Sequence, residues 1–432
     1  MAPRCDAGRG RTPIRHGSSP SRWPTRRACT VDELPIGRRV AYWRSRRNMS
    51  QQQFADTLGK SKSWVDKVER GARALDKLST LQTVADALGI ELRLLLGENA
   101  ERKRTGEWLD AARIDAVRGA LSRWGPARLG QAQPRLTIGD LGKAVNHAWL
   151  SYQHARYAEL VRSLPRLLLD AQQVRAANPD VAEAAQRLAE AYQITSAVMR
   201  KVGPADLAWL AADRALTASQ DADDHLLTGV CAAQLGYALL SQGQARHAME
   251  VTIALAHQIA GPDPLDAPAD HLSVHGTLLI TAALGAATLG HVACAAELIG
   301  QAGEAAAIVD DGQNHYWTAF GPITVELARI TAAIALGRGV DRVEHQQLVE
   351  HAAFRGLPPE RRADYLVEAA RGYLGAGDLV RAGKTLVSAE RAAPAEVRNR
   401  PLGHELLAAL LRRSPAASLD VLRLADELGV RV

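Results

Sequence analysis

The stretch Ser50–Gly71, SQQQFADTLGKSKSWVDKVERG, constrains this chain more tightly than any other. It reads as two short helices joined by a tight turn. Ser50 with Gln53 three residues later forms a capping box, in which each side chain satisfies the other residue's backbone N–H. Phe54, Ala55 and Leu58 then share one face. Gly59 stands where a helix stops with a positive φ. Ser61 is a second N-cap, Val65 and Val68 make the buried stripe of the next helix, and Gly71 ends it. The opposite face of that second helix carries Lys62, Ser63, Asp66, Lys67 and Arg70. A helix with an apolar back and a basic, polar front can pack on its own domain while lying in a DNA major groove.

The flanks extend the pattern. An Arg-rich segment, 37–47, leads into Met49-Ser50-Gln51. Beyond the pair come Leu81-x-x-Val84-Ala85-x-x-Leu88-Gly89 and Leu94-Leu95-Leu96. From Ile36 to about Leu96 the chain resembles lambda-repressor-like regulators of the Cro/cI or XRE type. That resemblance implies a five-helix domain. It also implies that Gln51 and Ser61 hold phosphates from helix starts and that Lys62, Ser63, Asp66 and Lys67 face bases. Arg70, Arg73 and Lys77 would hold phosphate at the end of the recognition helix and in the loop after it. Arg44 and Glu69 match an internal ion pair of the family. Trp64 departs from the small polar residue often found there. Two placements stay open for it, beside the sugar–phosphate backbone or as an extension of the core.

Charge supports a nucleic-acid-binding head. Residues 1–105 hold 22 Lys and Arg against 11 Asp and Glu, and the rest hold 31 against 36, so the overall +6 is +11 in the head and −5 beyond it. A basic head on a mildly acidic body is the electrostatic footprint expected for binding DNA. The four cysteines, Cys5, Cys29, Cys231 and Cys294, form no CxxC pair, so neither a zinc knuckle nor a disulfide framework is indicated. Cys231 and Cys294 lie in apolar helical stretches and read as small buried hydrophobes. The N-terminus lacks an apolar signal core, and the most apolar run, Gly276 to Gly290, is too short to span a bilayer. The chain is expected to be cytoplasmic, with no membrane partner.

In order, residues 1–34 read as a disordered tail rich in Arg, Pro, Ser and Gly. Its first thirty residues either precede a true start at Val31 or form a basic arm. Residues 35–97 are the DNA-binding domain. Residues 98–139 hold a charged hinge, an amphipathic helix from Glu107 to Trp124 and a Pro/Gly linker, Gly125–Gly139. Trp108, Ala112, Ala116, Val117, Ala120, Leu121 and Trp124 are expected along one side of that helix. Residues 140–432 read as helix after helix as far as Arg413. Leu235-Gly236-x-x-Leu239-x-x-x-Gly243-x4-Ala248 and Ala370-x-x-Tyr373-x-x-x-Gly377-x4-Ala382 match the tetratricopeptide pattern, with Leu for Tyr in the first. Pro394 falls where such a repeat ends, and weaker copies centre on Gly203, Gly290 and Gly337. The fold class is therefore all-α, a five-helix head followed by a tetratricopeptide-like α-solenoid with a concave face.

Two clusters of rings and amides stand out in a chain with only 4% aromatic residues. One is Asn314-His315-Tyr316-Trp317 with Phe320. The other is Asn146-His147-Ala148-Trp149, followed by Tyr152 and Gln153. Asn can clamp a peptide backbone and rings can hold side chains, but aromatic residues at helical spacing also serve as inter-helix core. Asn314, Tyr316, Trp317 and Asn146 are the ligand candidates. The resemblance to peptide-sensing regulators implies a peptide or small molecule as effector. No phosphate loop, nucleophile elbow or metalloprotease motif occurs, so no catalytic residue or cofactor is expected. His271 and His275 share a helix spacing but lack a third ligand, so no metal is expected either. The reading is a DNA-binding transcriptional regulator, dimeric on a palindromic operator because one head reads few base pairs. The dimer would form through the array or the Glu107–Trp124 helix. The alternative is a protein-interaction adaptor whose head tethers it to DNA or has lost specificity.

Overall fold

The computed structural model describes residues 36–47, 49–73, 75, 78–88, 90, 111–123, 134–260, 264–413 and 418–430. The chain divides into two compact units, Met1–Glu101 and Arg102–Val432.

The first unit holds α1 (Ile36–Arg46), α2 (Gln51–Thr57), α3 (Lys62–Glu69) and α4 (Leu78–Leu88). Local chemistry sets each boundary. The Ser50–Gln53 capping box is complete, with both hydrogen bonds made. Ser61 accepts from the Trp64 N–H and starts α3. Gly59 and Gly71 follow the two helices with φ of 62° and 76°, a conformation in which a side chain would cost energy. Phe54, Ala55, Val65 and Val68 meet Val40, Leu81, Val84, Ala85 and Leu88 in a single core. Trp64 is half-buried against that core, so it extends the core. A Cβ on Gly37 would lie 2.1 Å from the Val68 carbonyl oxygen, so the α1 and α3 backbones are in direct contact. The expected fifth helix with Leu94–Leu96 lies outside the described residues, as do residues 1–35, Lys77, Trp108 and Trp124.

The second unit is a stack of helical hairpins. It begins with α5 (Ala111–Leu121), then α6 (Ile138–Gln153), α7 (Tyr157–Ala177), α8 (Ala182–Val202), α9 (Ala205–Ser219), α10 (His225–Ser241) and α11 (Ala245–Ile259). It continues through α12 (Ala269–Thr288), α13 (Val292–Ile308), α14 (Pro322–Ala335), α15 (Arg342–Glu350), α16 (Ala352–Gly356) and α17 (Pro359–Gly375). The end is α18 (Leu379–Ala392), α19 (Pro394–Arg398), α20 (Pro401–Arg413) and α21 (Leu419–Leu428). Gly243, Gly290, Gly337 and Gly377 turn the chain between the helices of four hairpins, each with φ between 74° and 82°. Gly203 differs. It ends α8 in extended backbone at φ −114°, because Pro204 follows and fixes the start of α9 without a left-handed turn.

Two expectations about segment limits change. Helix α5 belongs to the array rather than to a linker. Val117, Ala120 and Leu121 are buried in the array's core, Gln172 of α7 donates to the Ala120 carbonyl at 3.2 Å, and Arg214 of α9 donates to that of Leu121. Its inward side is Ile114, Val117, Ala120 and Leu121, while Ala112 and Ala116 are exposed. The 125–139 linker also ends early. Thr137 caps α6 by accepting from the Asp140 N–H at 3.1 Å. At the other end, α21 adds a helix beyond Arg413, capped by Ser418 and closed by Gly429 in the left-handed region.

The first helices of successive hairpins touch in sequence, α6 on α8, α8 on α10, α10 on α12, α12 on α14 and α14 on α17. Helix α17 then returns to touch α6. The superhelix therefore closes on itself, with its concave face turned inward around an axial cavity.

Candidate functional site

On the head, α3 presents the face the sequence marks out. Val65 and Val68 are buried, whereas Lys62, Ser63, Lys67 and Arg70 are exposed and Asp66 is half-buried. Asp66 pairs with Arg70 one turn on, which holds the Arg70 guanidinium at the end of the helix. Arg73 is exposed just past Gly71, its N–H donating to the Lys67 carbonyl at 3.0 Å. Ser61, also exposed, keeps its hydroxyl hydrogen free while its oxygen caps α3.

Behind this face lies a clamp that joins three elements. Arg44 on α1 donates to both carboxylate oxygens of Glu69, at 2.6 and 3.2 Å, and to the Met49 carbonyl at 2.6 Å. Gln51, the first residue of α2, donates to Glu69 at 2.8 Å. The expected Arg44–Glu69 pair is thus present. Gln51 has one amide N–H turned inward, which leaves its second N–H to donate to a phosphate.

In the array, the axial cavity holds about 70 Å³ of internal space and opens to solvent. Its wall comes from Trp149, Tyr152 and Gln153 of α6, Gln193, Ala197 and Arg200 of α8, and Gln234 and Tyr237 of α10. The loop of residues 316–319 and Glu360 and Arg361 of α17 complete it. The two aromatic clusters meet here. Trp149 and Trp317 stack with centroids 6.2 Å apart and planes within 8°. The hydroxyl of Tyr316 donates to both carboxylate oxygens of Asp224, at 3.0 and 3.1 Å. Burial, with Asp224 next, pushes that phenol well above its usual range.

The candidates divide. Tyr316 and Trp317 line the cavity. Asn314 sits behind them and holds their loop, exchanging hydrogen bonds with Gln153 at 3.2 and 3.3 Å and accepting from the Ala319 N–H at 3.1 Å. Asn146 is exposed and is not part of the cavity wall, although it shares a face of α6 with Gln153, two turns further along the helix. The sequence reading missed Gln193, Arg200 and Tyr237. A polar pair seven apart with Ala197 between, on a helix otherwise buried, was the available signal. His271 does not share a site with His275. Its Nε2 lies 3.2 Å from Nε2 of His225 on the neighbouring helix.

Below the cavity lies a buried ionic cluster. Lys201, fully buried, holds Glu360 at 2.6 Å, Asp364 at 2.8 Å and Glu396 at 3.0 Å. Arg400 holds Asp364 at 2.6 Å and Glu396 at 2.5 Å. Tyr152 donates to Glu360 at 3.2 Å, and Tyr157 donates to Glu396. Burial pushes the Asp364 carboxyl up, but the charges of Lys201, Arg400 and Arg200 overcome it and hold that carboxyl well below its usual range. The same contest, with Lys201 and Arg361, lowers Glu360. The cluster ties α7 and α8 to α17 and α19, which is what closes the ring.

Phe320 anchors the end of the 314–320 loop. It is fully buried, and a Cβ on Gly276 of α12 would lie 2.0 Å from its ring. Gly276→Ala is expected to cost about 1–3 kcal/mol through overpacking and to raise amide hydrogen exchange across residues 311–321. Adding Phe320→Leu should recover part of the loss. Unchanged exchange in the single variant would show that the loop does not depend on this contact.

Residues 35–95 match the model of a helix-turn-helix domain. The immunity repressor protein of Bacillus phage phi105 is 30% identical over 122 residues, spanning 26% of this chain and 84% of that protein. Bacillus thuringiensis PlcR, solved in complex with the peptide PapR7 and DNA, aligns over 82% of this chain and 98% of its own at 12% identity. The TM-score of that alignment is 0.30, below the level at which two folds are the same. The capped helix pair, its buried clamp, the domain match and the phage relative together place this chain in the family of XRE-type helix-turn-helix DNA-binding regulators.

Proposed function

We propose that the chain is a cytoplasmic, non-enzymatic transcriptional regulator that reads a palindromic operator as a homodimer and answers to an effector held in its array. The observation that carries this is the split of α3, with Val65 and Val68 buried while Lys62, Ser63 and Lys67 stand in solvent. In this reading Lys62, Ser63, Asp66 and Lys67 meet base edges. Gln51, Ser61, Arg70 and Arg73 meet phosphates, with Lys77 expected to join them. Being related to a phage repressor supports regulation through DNA. No helix among the described residues is long and apolar enough to cross a membrane, which supports a soluble site of action.

The test uses the full chain and an operator selected from bound genomic fragments. Lys67→Ala is expected to lose ~1–3 kcal/mol of operator binding and to relax preference at one position. Arg73→Ala is expected to weaken operator and random DNA alike and to lower the salt slope by about 1. Equal loss on both DNAs for Lys67→Ala would remove that residue from base recognition.

For the array, Tyr316 and Trp317 form the effector wall and Asn314 positions them. Four non-glycine residues among those described have left-handed backbones, Ala155, Tyr316, Trp317 and Ala319. Three line the cavity, and Ala155 sits two residues from Gln153. Such backbones cost of order 1–3 kcal/mol each and concentrate where a site must be shaped.

A further inference from the structure

Resting on that reading of the cavity, we infer that its ligand is a small planar aromatic molecule bearing a carboxylate, which Arg200 binds while Gln193 hydrogen-bonds a polar group at the opposite end.

The charges make the first argument. Lys201 has three carboxylates and Arg400 has two. Arg361 donates to the Thr318 carbonyl at 3.0 Å and lies next to Glu360. Arg200 has no carboxylate within ion-pair distance among the described residues. Its partners are the Tyr152 hydroxyl at 3.3 Å and the face of Tyr237 at 5.4 Å. Asp364 and Glu360 act on Arg200 only from beyond ion-pair distance. Arg200 is thus a cation of the cluster without a direct carboxylate contact among the described residues, and it stands on the cavity wall, where an anion from outside could meet it.

Unused hydrogen-bonding groups make the second. Gln193 is only 5% exposed, lines the cavity and makes no hydrogen bond. Its amide faces the cavity and is open to a partner there. Trp149 Nε1 and Arg200 Nε are buried without partners beside the cavity. Most of these are donors, which favours an oxygen-rich guest.

Size and shape make the third. Gln193 and Arg200 are seven residues apart on one helix, about 10 Å along its axis. That is the length of a bicyclic aromatic acid. Extended peptide spans roughly 3.3 Å per residue, so only about three residues would match that length, and the ring is closed by α17 meeting α6. The half-buried rings of Trp317, Tyr316 and Tyr237 give flat surfaces for a planar body.

The test titrates the purified full chain calorimetrically with matched sets: indole-3-acetate, indole-3-acetamide and tryptamine, then the naphthalene equivalents. The carboxylates are expected to bind at least tenfold more tightly than the amides or amines. Arg200→Gln should reduce the carboxylate to the affinity of the amide, Arg200→Lys should keep the preference, and Gln193→Leu should weaken indole-3-acetate several-fold. Circular dichroism checks that each variant is folded. No binding by any carboxylate at millimolar concentration overturns the proposal, as does an equal preference for the amine or a preference that survives Arg200→Gln. Binding of linear peptides that depends on Trp317 would overturn this ligand class yet leave the sensing site standing. The sensing reading fails separately if a cell extract shifts operator affinity equally in the wild-type and Trp317→Ala proteins.

Discussion

Replacing Lys201 by Met is expected to destabilise the array by at least about 3–5 kcal/mol, the cost of leaving buried charge without its partner. Three carboxylates converge on its ammonium within 3.0 Å, and the Lys201 side chain has no solvent contact. Arg400 can still serve Asp364 and Glu396, so Glu360 is the group most affected. Peptide-resolved hydrogen exchange should show lost protection in α6, α8 and α17 together.

The pH dependence adds a second readout. Asp364 and Glu360 have depressed values in the folded state. Their contribution is complete above the ordinary carboxylate range, about pH 4, and is lost as pH falls through the folded values. Wild-type stability should thus hold at neutrality and decline in acid. The Met variant should respond in the opposite sense on first acidification, because protonation neutralises stranded carboxylates. Parallel acid profiles for the two proteins would refute this account of the cluster.

Glu69→Ala carries the second large effect. It removes both carboxylate acceptors of the Arg44 guanidinium and the acceptor of the Gln51 amide in one step. The Arg44 and Glu69 side chains are only 14% and 7% exposed, so the cost falls near the lower part of the ~3–5 kcal/mol range for a broken buried pair. Arg44 keeps the Met49 carbonyl, which softens the loss. For a head of this size each kcal/mol moves the melting point by about 4–8 °C, so the head's transition should fall by more than about 10 °C. Operator binding should fall with it, since the clamp fixes α3 against α1 and the start of α2. The double variant Arg44→Leu with Glu69→Leu should be more stable than Glu69→Ala, because neither charge is then stranded. A double variant no better than the single one would mean that the pair contributes packing rather than charge.

The head was legible wherever the determinant was local. Capping boxes, glycine turns and helix faces are set within four residues, and Ser50, Gly59, Ser61 and Gly71 behave as their neighbours dictate. Gln51 was less legible, because its inward bond depends on Glu69, 18 positions away. In the array, the turns at Gly243, Gly290, Gly337 and Gly377 followed from the repeat pattern, whereas Gly203 was misjudged through its neighbour Pro204. The aromatic clusters were visible separately, but nothing in a linear pattern brings Trp149 onto Trp317. Asn146 shares a helix face with Gln153, yet the cavity wall does not extend the two turns back to it. Ring closure was the least legible feature. Tyr152 finds Glu360 at a separation of 208 residues and Tyr157 finds Glu396 at 239. Lys201 alone reads as an ordinary basic residue near a helix end.

That closure has a consequence for how the array can change over evolutionary time. In an open stack each hairpin answers only to its two neighbours, so a unit can be gained or lost and the remainder still folds. Here the sixth first helix must arrive beside the first with its carboxylates in register with Lys201. Inserting or deleting one hairpin would rotate the closing face away and leave buried charge on both sides of the gap. The number of repeats is therefore fixed by electrostatics at a single junction, and sequence drift in this array is confined to exchanges that keep the circumference.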